Sequence, residues 1–288
     1  MNDIATATKP AGAIDLRDIE QLAVELADIA GNEIKAALGG LLAVRYKTAA
    51  TDDALWRDPV SEVDRRVETM IRKRLADEFP DHDIIGEEYD ERRHGRDFIW
   101  VVDPIDGTTN FVNGLPLFAA SIGVLHKGRP VVGALWCSVS HALRAGVYHA
   151  AAGNKLRFDG ADVTPKINPD VRRKLAGVPE LTSQDASWDT RKTGSAALEC
   201  AMVAAGLLQA ARFASPNIWD VGGGIALVQA AGGVVRQSQG DGWKPMYRFE
   251  PGAGPDGAVD LRYWRRAIVV GRPDAVETMC APTSDPAI

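Results

Sequence analysis

An apolar run, Phe98 to Val102, breaks at Asp103-Pro104 and gives way at once to Ile105-Asp106-Gly107-Thr108-Thr109-Asn110-Phe111. The run reads as a buried strand. Proline cannot continue a sheet ladder, so the strand is expected to end there with Asp103 at its carboxyl end. Asp106 follows three residues on, and a tight turn would let both carboxylates leave on the same side. Like charges held this close need a cation, and a divalent metal suits them best. Gly107-Thr108-Thr109 then offers unhindered N–H groups and hydroxyls, a seat for a phosphate if a helix starts there. Taken alone, the stretch has an ordinary Asp-Pro/Asp-Gly surface turn as its lesser alternative.

Bulk properties narrow the partners. The chain has 288 residues, 33 Lys+Arg against 39 Asp+Glu, and a formal charge of −6. Nucleic acids and anionic membranes want a basic face, so neither is expected as a partner. A phosphate substrate remains compatible if the site brings its own cations. Cys137, Cys200 and Cys280 are odd in number and form no Cys-x-x-Cys pair, which reads as reduced, mostly buried thiols in a cytoplasmic protein. No signal segment and no apolar run of membrane length is found, so secretion and insertion are not expected.

Along the chain, residues 1 to 13 read as a flexible tail and 14 to 288 as a single unit. Its N-terminal half should span about 14–165 and its C-terminal half about 166–288. From Asp15, Ile19, Leu22, Val24, Leu26, Ile29, Ile34 and Leu38 predict one long amphipathic helix closed by Gly39-Gly40. Leu41 to Tyr46 suits a strand. Ser61 and Asp64 form a capping box for a helix running to Phe79-Pro80. Ile84-Ile85-Gly86 is a short strand ending in Glu87-Glu88. Neighbouring strand residues face opposite ways, so at most one of these acids aims into a shared site; solvated surface charge is the plain alternative.

Ala119 to Leu125, Val131 to Trp136 and Ala145 to His149 predict an antiparallel meander. Val163 to Lys174 is polar and Pro-broken, a link between halves. Beyond it come a helix from about Ser195 to Leu208, a strand near Ala210 to Phe213, a helix from Trp219 to Ala231, strands at Val234-Val235 and Ala267 to Val270, and a last helix from Asp274 to Met279. Gly240 to Asp260 reads as a long surface excursion. Asp220 stands where an N-cap belongs, and Gly222-Gly223-Gly224 in the same turn implies that something packs or binds closely. No histidine pair has metal-ligand spacing, and neither a G-x-S-x-G elbow nor a nucleotide loop is present.

Trp100 to Phe111 resembles the W-x-x-D-P-x-D-G-T-x-N-F signature of the inositol monophosphatase family, phosphomonoesterases that depend on metal. Gly86-Glu87-Glu88 resembles a second family element, and Trp219-Asp220-Val221 through Ala231-Gly232-Gly233 a third. Asp58-Pro59-Val60-Ser61 to Asp64 resembles the family's D-x-V-T-x-x-D, with Lys47 eleven residues before Asp58 and Ser61 in place of threonine. The resemblance implies an α+β fold, a layered α-β-α-β-α sandwich of the inositol monophosphatase/fructose-1,6-bisphosphatase kind, with an antiparallel N-terminal half, an α/β C-terminal half and the site between. It implies two or three Mg2+ ions, with Mn2+ possible. Asp103 would bridge two ions, Glu87 and the Ile105 carbonyl would hold the first, and Asp106 and Asp220 the second. Glu88, Lys47 and Ser61 would support them. Thr108, held by Asp58, would orient and deprotonate the attacking water, with Glu87 also in the catalytic set, and Gly107 and Thr108 N–H groups would hold the phosphate. Lithium sensitivity and a homodimer are implied as well.

The substrate implied is a small phosphorylated metabolite. Inositol monophosphate is the first choice; fructose 1,6-bisphosphate, 3′-phosphoadenosine phosphate and histidinol phosphate are alternatives, and a non-catalytic binding relative is the reading from another class. Gly194-Ser195-Ala196 should flank the alcohol portion, with Asp220 nearby. Phe213 stands where inositol-selective members carry a glutamate, seven residues before Asp220. Arg191 and Lys192 could read a second anion, or simply face solvent.

Overall fold

The computed structural model describes residues 15–38, 44–46, 59–90, 94–165, 168, 170–172, 174–180, 188–240, 242–255 and 257–281. Lys47, Asp58 and the N-terminal tail lie outside them. Two helices come first, α1 (Arg17–Ala37) and α2 (Glu62–Glu78), with the short antiparallel pair β1 (Val44–Tyr46) and β2 (Pro59–Ser61) between them. The expected capping box starts α2: Ser61 N donates to Asp64 Oδ2 at 2.8 Å, and Ser61 Oγ accepts from Val63 N at 3.2 Å. Ile19, Leu22, Leu26 and Ile34 form the buried stripe of α1, as their spacing predicts, while Val24 and Ile29 are half-buried at its edges and Leu38 at its end is exposed.

A seven-stranded sheet follows in chain order: β3 (Asp83–Gly86), β4 (Phe98–Asp106), β5 (Ala119–His126), β6 (Arg129–Cys137), β7 (Gly146–Ala151), β8 (Arg157–Phe158) and β9 (Ala161–Asp162). It is a meander except at β3, which runs parallel to β4. Within β4 the side chains alternate between two cores. Trp100 and Val102 join the cluster under α1 and α2, while Ile99 and Val101 join the one on the opposite face. A short helix, α3 (Thr108–Val112), leaves the end of β4.

The second sheet has six strands in the order β11-β10-β12-β17-β13-β14. They are β10 (Lys174–Gly177), β11 (Trp188–Arg191), β12 (Ala210–Phe213), β13 (Val234–Gln239), β14 (Gly242–Pro245) and β17 (Ile268–Gly271), with β15 (Gly252–Ala253) and β16 (Val259–Asp260) a separate small pair. Sequence patterning missed β10 and β11; the expected link gives way to a strand at Lys174. Helices α4 (Ala196–Ala204) and α5 (Ile218–Ala230) fill the space between the sheets, and α6 (Pro273–Cys280) covers the outer face of the second. The layers therefore run helix, sheet, helix, sheet, helix, as the resemblance implied.

The triple glycine explains how α5 lies so close to the first sheet. A Cβ on Gly222 would stand 2.5 Å from Val101 Cγ2, one on Gly223 2.8 Å from Ile122 O, and one on Gly224 2.4 Å from Cys200 Cβ. These glycines make packing contacts with β4, β5 and α4, the close approach that their run in the sequence implies. Burial pushes the Cys137 and Cys200 thiols up, so both stay protonated. No helix among the described residues is long and apolar enough to cross a membrane.

Candidate active site

Two features of β4 assemble the acids. The first is register: β3 pairs Gly86 with Val102, and Glu87 N donates to Val102 O at 3.1 Å. The residue after each, Glu87 and Asp103, therefore lies side by side on the face of Ile85 and Val101, and the two side chains are hydrogen-bonded. The second is a bulge. β5 pairs Ser121 with Asp103 but Ala119 with Asp106, so three steps on β4 match two on β5. Residues three apart on a regular strand face opposite ways; the extra residue returns Asp106 to the face of Asp103. The expected end of the strand at Asp103 is thus corrected. β4 continues through Pro104, which lies in the stretch where the ladder is already interrupted and no N–H is needed.

Both helices of the middle layer begin at this face. Asp106 Oδ2 accepts from Ser195 Oγ and from Ala197 N, each at 2.6 Å, so its carboxylate caps the N-terminus of α4. Asp220 lies in the first turn of α5, where its Oδ2 accepts from Asn217 N at 2.7 Å. The expected N-cap role of Asp220 passes to Asn217, and Asp220 takes the third helical position. Ser121 Oγ, opposite Asp103, donates to Trp219 O at 3.1 Å and ties the start of α5 to β5.

These groups act on one another as charges. Burial raises the Asp103 carboxyl well above its usual range, and the charges of Glu87, Asp106 and Asp220 push it further. Asp106 is raised by burial and then by Asp220. Asp220 is pushed up to about 7 by burial, with Glu87 adding to it. Carboxylates gathered in a buried place take up protons unless a cation joins them. Among the described residues no three His, Cys, Asp or Glu side chains close as a ready-made cage around one point. The donor chemistry nevertheless fits hard divalent cations: every side chain is an oxygen donor, and no histidine or cysteine enters the set.

Thr108 follows directly. Gly107 holds φ at 91° in the left-handed region, and a Cβ there would stand 3.1 Å from Leu117 O and 3.2 Å from Ser195 Cβ. Thr108 Oγ1 donates to Ile105 O at 2.9 Å and stands 3.4 Å from Asp64 Oδ1. Asp64 is fully buried and pushed up to about 6, first by burial and in part by Glu87. Sequence reasoning saw in Asp64 only a capping residue; its second oxygen facing Thr108 is the part it missed, and the D-x-V-T-x-x-D spacing already held the signal. Glu88 points elsewhere, 3.8 Å from Arg65 Nε, with its N–H on Glu68 Oε2 at 2.7 Å. Ala196 is the first residue of α4, beside Ser195. Phe213 ends β12 within the larger buried core. Arg191 is paired with Asp189 at 2.8 Å on the exposed edge strand.

The layered α-β-α-β-α sandwich brings acids from the ends of β3 and β4 and the start of α5 toward its middle layer, and the family its sequence matches is one of phosphomonoesterases. The chain belongs to the inositol monophosphatase family, whose model matches residues 15–256. It is 31% identical over 193 residues to a fructose-1,6-bisphosphatase/inositol-1-monophosphatase of Aquifex aeolicus, covering 62% of this chain and 72% of that one. Over 221 residues it is 33% identical to the Escherichia coli (strain K12) protein named Nus factor SuhB, covering 70% and 81%. The solved Thermotoga maritima IMPase superposes with a TM-score of 0.69 at 25% identity, covering 91% of this chain and 96% of the other.

Proposed function

We propose that this phosphomonoesterase hydrolyses a small phosphorylated metabolite with two or three Mg2+ ions held by Glu87, Asp103, Asp106, Asp220 and the Ile105 carbonyl, Mn2+ serving in their place. The observation that carries this reading is the register of β4: it sets Glu87 beside Asp103 and, through the bulge, Asp106 on the same face. The bound ions would supply positive charge for the phosphoryl oxygens and a lowered pKa for the attacking water.

The chain's own groups do the rest. Thr108 Oγ1, with its hydrogen committed to Ile105 O or Asp64 Oδ1, presents a lone pair that accepts a hydrogen bond from the incoming water and fixes its line of attack. Asp64 Oδ1, at 3.4 Å, is the described carboxylate within reach of the Thr108 proton; Asp58, implied by the resemblance, is the other. Gly107 and Thr108 N–H groups hold the phosphate, and Ser195, Ala196 and Phe213 flank the alcohol portion. Ser195 does so while bracing Asp106.

Hydrolysis of p-nitrophenyl phosphate with Mg2+, repeated with EDTA, tests the reaction; turnover that survives chelation sinks it. Inositol 1-phosphate, fructose 1,6-bisphosphate, 3′-phosphoadenosine phosphate and histidinol phosphate, assayed side by side, settle the substrate. Phe213→Glu should raise activity on inositol 1-phosphate, and no gain removes Phe213 from the selectivity argument. Lithium inhibition, a homodimer by light scattering and a cytoplasmic location belong to the same proposal.

A further inference from the structure

The excursion expected from Gly240 to Asp260 is corrected at its start, where Gly242–Pro245 form β14 against β13; the stretch after it returns to the sheets through one turn of 3-10 helix, Leu261–Tyr263. Asp260 caps that turn, its Oδ1 accepting from Arg262 N at 2.7 Å. A Cβ on Gly252 would stand 2.2 Å from Tyr263 O, so only glycine lets the excursion lie flat against it. Phe249 packs edge-on to Trp264 with ring centroids 4.7 Å apart, and its N–H donates to Gly128 O at 2.8 Å on the first sheet. The excursion is thus a strap from the second sheet to the first, and the turn it fixes carries Arg262.

Arg262 reaches the segment that contains Glu87. Its Nη1 donates to Gly86 O at 2.6 Å and to Tyr89 O at 3.3 Å, and its Nε stands 3.3 Å from Asp90 Oδ1. The same guanidinium lies 5.0 Å over the ring of Trp219, the neighbour of Asp220. Glu68 and Arg72 hold the Glu87 segment from the α2 side, through Glu88 N at 2.7 Å and Tyr89 O at 3.1 Å. Arg262 connects that segment directly to the start of α5.

We propose that Arg262 is a positioning residue of the phosphatase reaction. It fastens the Glu87 turn to Trp219 and so sets the spacing between Glu87 and Asp220, touching no substrate itself. The proposal rests on the reading of those two acids as ligands of the catalytic cations. A planar fork is needed to donate to the backbone and stack on an indole together, which a lysine ammonium cannot do.

The test is the Mg2+ binding midpoint, read by calorimetric titration without substrate and again as the Mg2+ concentration for half-maximal p-nitrophenyl phosphate hydrolysis, for wild type, Glu87→Gln, Arg262→Ala, Arg262→Lys and, as a control, Arg272→Ala, an exposed arginine paired with Asp274. Removing a group that orients a metal ligand shifts metal affinity by about tenfold or more. Arg262→Ala should raise the midpoint by at least that factor and Arg262→Lys by less, with KM at saturating Mg2+ within about threefold of wild type. Arg272→Ala should leave it unchanged. An unmoved midpoint in Glu87→Gln overturns the ligand reading; a moved one there with an unmoved Arg262→Ala overturns the positioning role alone, even if its Tm falls. Should Arg262→Ala not fold, Arg262→Lys is judged by whether its midpoint moves.

Discussion

Ser195 Oγ donates to Asp106 Oδ2 at 2.6 Å and accepts from Leu198 N at 3.2 Å, so one hydroxyl caps α4 and braces an acid at the end of β4. The helix start and the acid are thereby placed by the same atom.

Ser195→Ala should lower stability by about 1–2 kcal/mol, the usual cost of losing a cap that also makes a buried hydrogen bond. Ala197 N still holds Asp106, so turnover should fall by only about tenfold. Thermal unfolding and p-nitrophenyl phosphate kinetics read both effects; wild-type kcat in the variant removes Ser195 from the site.

Asp103→Asn should abolish turnover, whereas Glu88→Gln should leave more than a trace. Asp103 feels the charges of Glu87, Asp106 and Asp220, and Glu88 faces Arg65 across 3.8 Å. Equal losses in the two variants would show that the acids are wrongly apportioned.

Glu199 predicts a pH effect on stability. It is 4% exposed, with Oε1 accepting from Thr193 N at 3.0 Å and from Thr193 Oγ1 at 2.9 Å. Burial pushes it up to about 7 from 4.5. A raised carboxyl binds its proton more tightly folded than unfolded, so its cost is absent below pH 4.5, grows as pH rises and is complete above 7. Glu199→Gln keeps an acceptor for Thr193. The variant should match wild type near pH 4.5 and exceed it by up to about 3 kcal/mol near pH 8. Denaturant unfolding at both pH values checks this, and a constant difference refutes it.

Gly223→Ala should destabilise despite alanine's better helix propensity. That preference contributes about 1 kcal/mol, whereas forcing a methyl into a filled contact costs about 1–3 kcal/mol. The new Cβ would meet Ile122 O at 2.8 Å and Leu135 Cδ1 at 2.9 Å, and the strand backbone cannot yield as a flexible side chain can. Unchanged or raised Tm counts against the close-packed account of α5.

Much of this was legible in the chain. The acids of β4, the Ser61–Asp64 cap and the α1 stripe follow from local patterning, because each depends on neighbours within a turn or a strand. What depends on pairing was not. Pro104 looks like a strand end until β5 shows where the ladder slips. Asp220 looks like a cap until Asn217 takes that place. Arg262 carries no local signal at all, since its partners Gly86 and Trp219 lie far away in sequence. β10 and β11 escaped because short strands beside a parallel neighbour show no alternation.

The slip between Asp103 and Asp106 has a consequence for how this family could vary. Removing one residue from Pro104-Ile105 would restore an even ladder with the acids two apart and still on one face, whereas an even ladder that kept both residues would turn the second acid to the outer side. With two residues between the acids, the slip in the ladder determines whether the two carboxyl groups share a room.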